Sequence, residues 1–73
     1  MFYLYRKADK RAVLYKGIGD KAERIGEWED CRWISTIFEN RINLRNLKIL
    51  TGVTEYSTME EVIEDVTLFM LGE

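Results

Sequence analysis

The chain has 73 residues, of which 47% are hydrophobic and 12% aromatic, so it holds enough apolar material for one small core and is unlike a disordered segment. It contains no histidine and one cysteine, Cys31, which excludes an internal disulfide, the common zinc ligand sets and His-dependent catalysis. No apolar run approaches the roughly 18 residues that cross a bilayer. We therefore expect a single cytoplasmic domain, residues 1–73, with no signal peptide, membrane segment, cofactor or metal.

The net charge of −2 conceals two blocks of opposite sign. Residues 1–54 hold all eleven Lys and Arg residues against seven acids, a net charge of +4. Residues 55–73 hold six acids and no base, a net charge of −6. Such blocks pair within one fold, pair between the subunits of a homodimer, or present a charged face to a partner.

The first 17 residues predict a β-hairpin. Residues 2–5 and 13–15 favour strands, and the polar segment 7–10 between them suits a turn. A three-residue loop at 8–10 sorts the side chains into one face with Phe2, Leu4, Ala12 and Leu14, and a second with Tyr3, Tyr5, Val13 and Tyr15. A two-residue loop would exchange the faces of the second strand, so the register stays open.

The middle of the chain allows more than one interpretation. Residues 21–28 suit either a single helical turn that Gly26 ends or a third strand. Residues 29–41 are predicted as a helix, because acids at the start and Arg41 at the end suit the helix dipole, and the helical wheel separates apolar from polar residues. The alternative, a strand over 33–38, would be apolar on both faces. Residues 47–51 are predicted as a strand ended by Gly52, with a short helix capped by Asn43 as the competing interpretation.

The clearest element is a C-terminal helix from Ser57 to Leu71. Ser57 and Thr58 are both good N-caps, and each has a glutamate three residues later that can close a capping box. The helical period then separates an apolar stripe, Met59, Val62, Ile63, Val66, Phe69 and Met70, from an acidic face, Glu60, Glu61, Glu64 and Asp65. Such a stripe requires a surface to cover it.

These elements predict an α+β fold in the order ββαβα. A small antiparallel sheet, made of the N-terminal hairpin and one further strand, packs against a middle helix and the capped C-terminal amphipathic helix. The predicted core consists of Leu4, Leu14, Ile34, Ile37, Phe38, Ile49, Val62, Ile63, Val66 and Phe69.

Side chains that carry catalysis are scarce, so we expect a protein that is not an enzyme. Cys31 is interpreted as a small core residue rather than a nucleophile. The carboxylate pairs on the last helix are interpreted as solvated rather than catalytic or metal-binding. No glycine-rich segment has the spacing of a nucleotide-binding loop.

The remaining hypothesis is protein binding: the chain is an inhibitor or regulator that occupies a basic surface on a larger protein, such as a surface that binds nucleic acid. Leu68 lies among carboxylates on the acidic face, and Tyr is favoured in interface cores. In size and composition the chain is similar to the host-directed inhibitors of viruses and mobile elements. The predicted partner-binding residues are Glu60, Glu61, Glu64, Asp65, Leu68, Tyr3, Tyr5 and Tyr15. The alternative is a nucleic-acid-binding accessory protein that uses the Tyr-, Lys- and Arg-rich hairpin.

Overall fold

The computed structural model describes residues 1–71. Its elements follow the order β1 (Phe2–Ala8), β2 (Arg11–Ile18), β3 (Lys21–Glu29), β4 (Arg32–Ser35), β5 (Arg41–Asn43), α1 (Leu44–Lys48), β6 (Val53–Tyr56) and α2 (Met59–Leu71). The strands form one antiparallel sheet in the order β4-β3-β2-β1-β6, and β5 pairs with the first part of β3. The α+β class and the series hairpin, helix, strand, helix are confirmed, with β3, β4 and β5 inserted between the hairpin and α1.

The register of the first hairpin settles which side chains share a face. Leu4 lies opposite Leu14, which is the register of the three-residue loop. An irregularity between Arg6 and Ala8 then brings Ala8 opposite Arg11 at the turn. Because side chains alternate along a strand, this register confirms the two predicted faces of the hairpin.

Helix α2 covers the first face of the sheet and forms the larger core with it. A capping box begins the helix: the Glu61 N–H donates to Thr58 Oγ1 over 3.3 Å, and the Thr58 N–H donates to Glu61 Oε1 over 3.2 Å. The buried residues of this core are Leu4, Ala12, Leu14, Val62, Val66 and Met70. The capped amphipathic helix is therefore confirmed.

The second face of the sheet is covered by α1 and carries a smaller core. Its buried residues are Tyr3, Val13, Tyr15, Ala22 and Leu47. The Asn43 side chain caps α1 by accepting from the Arg45 N–H over 3.1 Å, and Gly52 follows with a φ of +90°. The strand predicted over 47–51 is therefore wrong, and the Asn-capped helix is the element that forms.

The helix predicted over 29–41 is also wrong. Residues 21–28 form the third strand, and the chain then reverses at Asp30 and Cys31, whose φ values of 50° and 70° define a two-residue hairpin turn. Strand β4 pairs back onto β3, with Trp33 beside Trp28 at 4.5 Å between ring centroids. Pairing with a distant strand outweighs the local helical pattern here, and it leaves Cys31 exposed rather than in the core.

Half of the predicted core residues lie at the surface. Leu4, Leu14, Val62 and Val66 are buried and Phe69 is partly buried, whereas the exposed residues are Ile34, Ile37, Phe38, Ile49 and Ile63. The first three of these lie on the edge strand β4 and in the loop after it, where no element of residues 1–71 covers them. Ile49 follows the end of α1, and Ile63 lies beside the buried stripe of α2.

Two neighbouring residues test the placement of α1. Leu47 is fully buried and Ile49 is 76% exposed, so Leu47→Ala should lower the free energy of unfolding by about 2–5 kcal/mol through the cavity it leaves. The matched change Ile49→Ala should alter it by less than about 0.5 kcal/mol. Urea denaturation measures both, and equal losses would contradict a helix over residues 44–48.

Candidate protein-binding surface

A cluster of charged and aromatic side chains fastens α2 to the sheet. Arg6 Nη2, on β1, donates to Asp65 Oδ2 over 2.7 Å. The Tyr56 hydroxyl, on β6, donates to the same carboxylate oxygen. The Arg6 guanidinium also lies over the Phe69 ring, 4.6 Å from its centroid. Asp65, predicted to contact a partner, is thus engaged within the chain.

The same cluster perturbs the titration of Tyr56. Burial raises the pKa of the Tyr56 hydroxyl above its ordinary value of 10.0, and the hydrogen bond to Asp65 and the negative charge of that carboxylate raise it further. The folded protein therefore favours the neutral phenol, which donates its proton to Asp65. This donor role requires no ionisation of the tyrosine near neutral pH.

The acidic block divides into paired and unpaired carboxylates. Glu55 pairs with Lys48 over 3.2 Å, and Asp65 pairs with Arg6. Within residues 1–71, no cation lies within 4.0 Å of Glu60, Glu61 or Glu64. Glu60 and Glu61 in the first turn of α2 and Glu64 in the next thus keep a negative charge that no cation of residues 1–71 pairs, although Glu61 also accepts hydrogen bonds in the cap.

A groove between α2 and β6 collects part of this charge. It has a volume of about 370 Å³, and its lining residues are Thr54, Tyr56, Glu61, Glu64, Asp65 and Leu68. We call these six residues the acidic groove. Leu68 is 63% exposed and provides an apolar wall beside the carboxylates. Carboxylates next to apolar surface suit an Arg or Lys side chain, whose aliphatic stem packs while its charged end is paired.

The exposed side of α2 also carries apolar residues that the acidic groove does not include. Ile63 and Leu71 are 52% and 70% exposed, and they lie on the far side of Glu64 from β6. The helical spacing of Ile63 predicts it in the core, and this prediction is wrong. The buried residues of α2 are Val62, Val66 and Met70, and Met70 lies only about 20° from Ile63 round the helix. The helical period alone therefore could not have placed Ile63 at the surface.

The tyrosine face of the hairpin does not offer the predicted binding surface. Tyr3 and Tyr15 are only 4% and 9% exposed because they form the second core beneath α1, and Tyr5 is half-buried. Burial raises the pKa of the Tyr15 hydroxyl, with the charge of Arg24 acting in the opposite direction. Buried rings cannot stack on unpaired bases, so the nucleic-acid alternative lacks two of its three aromatic contacts.

No protein-family model matches the chain, and neither a curated protein nor a solved structure is significantly similar to it. Across residues 1–71, neither helix combines the length and apolar content needed to cross a bilayer. The same residues place no group of three or more His, Cys, Asp or Glu side chains where it would hold a metal ion. Function is therefore inferred from the geometry of the surface.

The role of Asp65 as an internal anchor is tested by neutralising it. Asp65→Asn weakens the hydrogen bonds from Arg6 and Tyr56, so the free energy of unfolding should fall by about 1–2 kcal/mol. Glu60→Gln removes an exposed carboxylate with no partner in the described chain and should change it by less than about 0.5 kcal/mol. Thermal and urea denaturation measure both variants, and a stable Asp65→Asn protein would contradict the anchor.

The raised pKa of Tyr56 predicts a dependence of stability on alkaline pH. The folded state holds this proton more tightly than the unfolded state, so the contribution is complete below the ordinary value of 10.0 and is lost as pH rises through the folded pKa. Denaturation between about pH 8 and 11 should show stability unaffected by this group below the ordinary value of 10.0 and falling with pH above it. Tyr56→Phe should make that fall shallower, leaving the part due to Tyr15. An unchanged slope in Tyr56→Phe would refute the assignment.

Proposed function

We propose that the chain is a non-enzymatic protein-binding module that holds a basic segment of a larger protein in the acidic groove. The observation that carries the proposal is the set of unpaired carboxylates on α2, next to Tyr56 and Leu68. Asp65 and Glu55 are paired with cations of this chain, whereas the charges of Glu61 and Glu64 have no cation within 4.0 Å in residues 1–71. Glu61 and Glu64 instead face an open depression of the size that one or two side chains fill.

The groove has the components of selective recognition. Its carboxylates attract a basic partner over a distance and speed the encounter, and they reject acidic surfaces. The guanidinium of an arginine can donate two parallel hydrogen bonds to one carboxylate. Leu68 and the Tyr56 ring then add apolar contact, which supplies affinity that salt does not screen.

The expected consequence of binding is inhibition or regulation. A protein surface that holds nucleic acid is basic, and a row of helix carboxylates is complementary to the same charges. By occupying such a surface the chain would compete with the phosphates that normally bind there. We place this activity in the cytoplasm, where the exposed Cys31 thiol remains reduced.

Neutralising the groove tests this function. Glu61→Gln keeps the capping box because the glutamine amide oxygen accepts from the Thr58 N–H, and the backbone N–H of residue 61 still donates to Thr58 Oγ1. Combining it with Glu64→Gln therefore removes two charges without opening the helix end. The double variant should associate with a basic partner about 3–10-fold more slowly at low salt, with a smaller difference at high salt. Partners are captured on the immobilised protein from nuclease-treated lysate of the native source, and surface plasmon resonance measures their association rates.

A matched control removes the same charge elsewhere. Asp9 and Glu39 are exposed and lie outside the acidic groove, so Asp9→Asn combined with Glu39→Gln should leave the association rate near that of the wild type. Leu68→Ala should mainly increase the dissociation rate, because it removes apolar contact rather than charge. A partner that binds the wild type, the groove variant and the control variant with equal association rates would contradict the proposal.

A further inference from the structure

Strand β4 ends the sheet with an unpaired outer edge. Its only strand neighbour within residues 1–71 is β3. The two-residue turn makes Glu29 and Arg32 a hydrogen-bonded pair, so the backbone groups of alternate residues face β3. The Thr36 N–H continues this alternation by donating inward to the Ile25 carbonyl over 2.9 Å. The N–H and C=O groups of Trp33 and Ser35 consequently point away from the sheet.

The same edge is apolar. Trp33 and Ile34 are 38% and 40% exposed, and Ile37 and Phe38 in the loop that follows are 82% and 78% exposed. Together these four side chains leave on the order of 400 Å² of apolar surface in water, which is near the largest patch of a typical monomer. Native sheets usually protect an edge with charge, proline or a covering element, and only Arg32 does so here.

We propose that β4 pairs with β4 of a second copy of this chain, antiparallel and about a twofold axis at Ile34. The outward groups of Trp33 and Ser35 dictate this register. Trp33 of each copy exchanges two hydrogen bonds with Ser35 of the other, which gives four across the axis. Ile34 then lies opposite Ile34 of the second copy, and Arg32 lies opposite Thr36.

A second copy is favoured as the occupant because the edge is complementary to itself. No like charges meet across the axis, and the side chains that face each other at its centre are two isoleucines, a pairing that suits adjacent strands. In this register Ile37 and Phe38 of each copy follow the last paired position and lie beside the Asp30–Cys31 turn of the other copy, so their apolar surface is at the rim of the interface. The apolar part alone approaches half of the roughly 800 Å² per subunit that a standard interface buries.

The twofold at Ile34 permits a charge-complementation experiment. I34K and I34E each place like charges opposite one another and should weaken self-association at least about tenfold. An equimolar mixture of the two should restore dimers to the wild-type level, since lysine then faces glutamate. Analytical ultracentrifugation of the full chain measures this from micromolar to submillimolar concentration, with reductant present to prevent disulfides through Cys31.

The control is I49K, which adds a charge at an exposed isoleucine outside β4 and should dimerise like the wild type. Circular dichroism confirms that each variant is folded, which is expected because Ile34 is partly exposed already. A wild-type chain that stays monomeric over the whole concentration range overturns the proposal. This outcome includes the case in which β4 pairs only with a strand of a different protein. Dimers that survive I34K, or that mixing fails to restore, overturn the register.

Discussion

The contact on which the rest of the structure depends is the pairing of Leu4 with Leu14 at the centre of the first hairpin. It places Leu4, Ala12 and Leu14 on one face, where Val62 and Val66 of α2 cover them, and it places Tyr3, Val13 and Tyr15 on the other, beneath α1. A slip of one residue would exchange the faces of β2, so that Val13 and Tyr15 would meet α2 while Ala12 and Leu14 would meet α1, and neither core would keep its packing. Because a domain this small buries little apolar area, the stability of both cores depends on this one register.

The position of α2 explains which charges remain free. Its buried stripe fixes the rotation of the helix, and that rotation turns Asp65 toward Arg6 and Tyr56. The same rotation directs Glu60 and Glu64 to solvent, while the cap holds Glu61 at the start of the helix. The rotation of α2 thus determines both which carboxylates are paired within the chain and which face solvent. The basic hairpin neutralises only part of the acidic block.

Local signals predicted the ends of the fold and failed in its middle. The hairpin alternation and the capping box at Thr58 were sufficient because each is complete within a short segment. Residues 32–38 misled the prediction because Trp33, Ile34, Ile37 and Phe38 suggest burial, yet they lie on an edge strand and the loop after it, which the described part of the chain leaves uncovered. The turn at Asp30 and Cys31 contains no glycine, so the sequence lacks the usual signal of a hairpin turn. The pairing of β4 with β3 stabilises it. The acidic side of the candidate surface was predictable from the charges of α2 and the helical period. The burial of Tyr3 and Tyr15 under α1 was not predictable, because it depends on where residues 44–48 pack against the sheet.

The two proposed surfaces lie at opposite ends of the sheet. The acidic groove borders β6, whereas the open edge is β4, and three strands separate them. Pairing at β4 would therefore leave both grooves uncovered at the outer ends of one continuous sheet. With strands about 4.8 Å apart, nine intervals between the two copies of β6 place the grooves roughly 40 Å from each other. Two modest sites held at a fixed separation bind a repeated or twofold-symmetric basic target far more tightly than either alone, provided the target matches that span. Dimerisation would then act on affinity without altering a single contact in the groove.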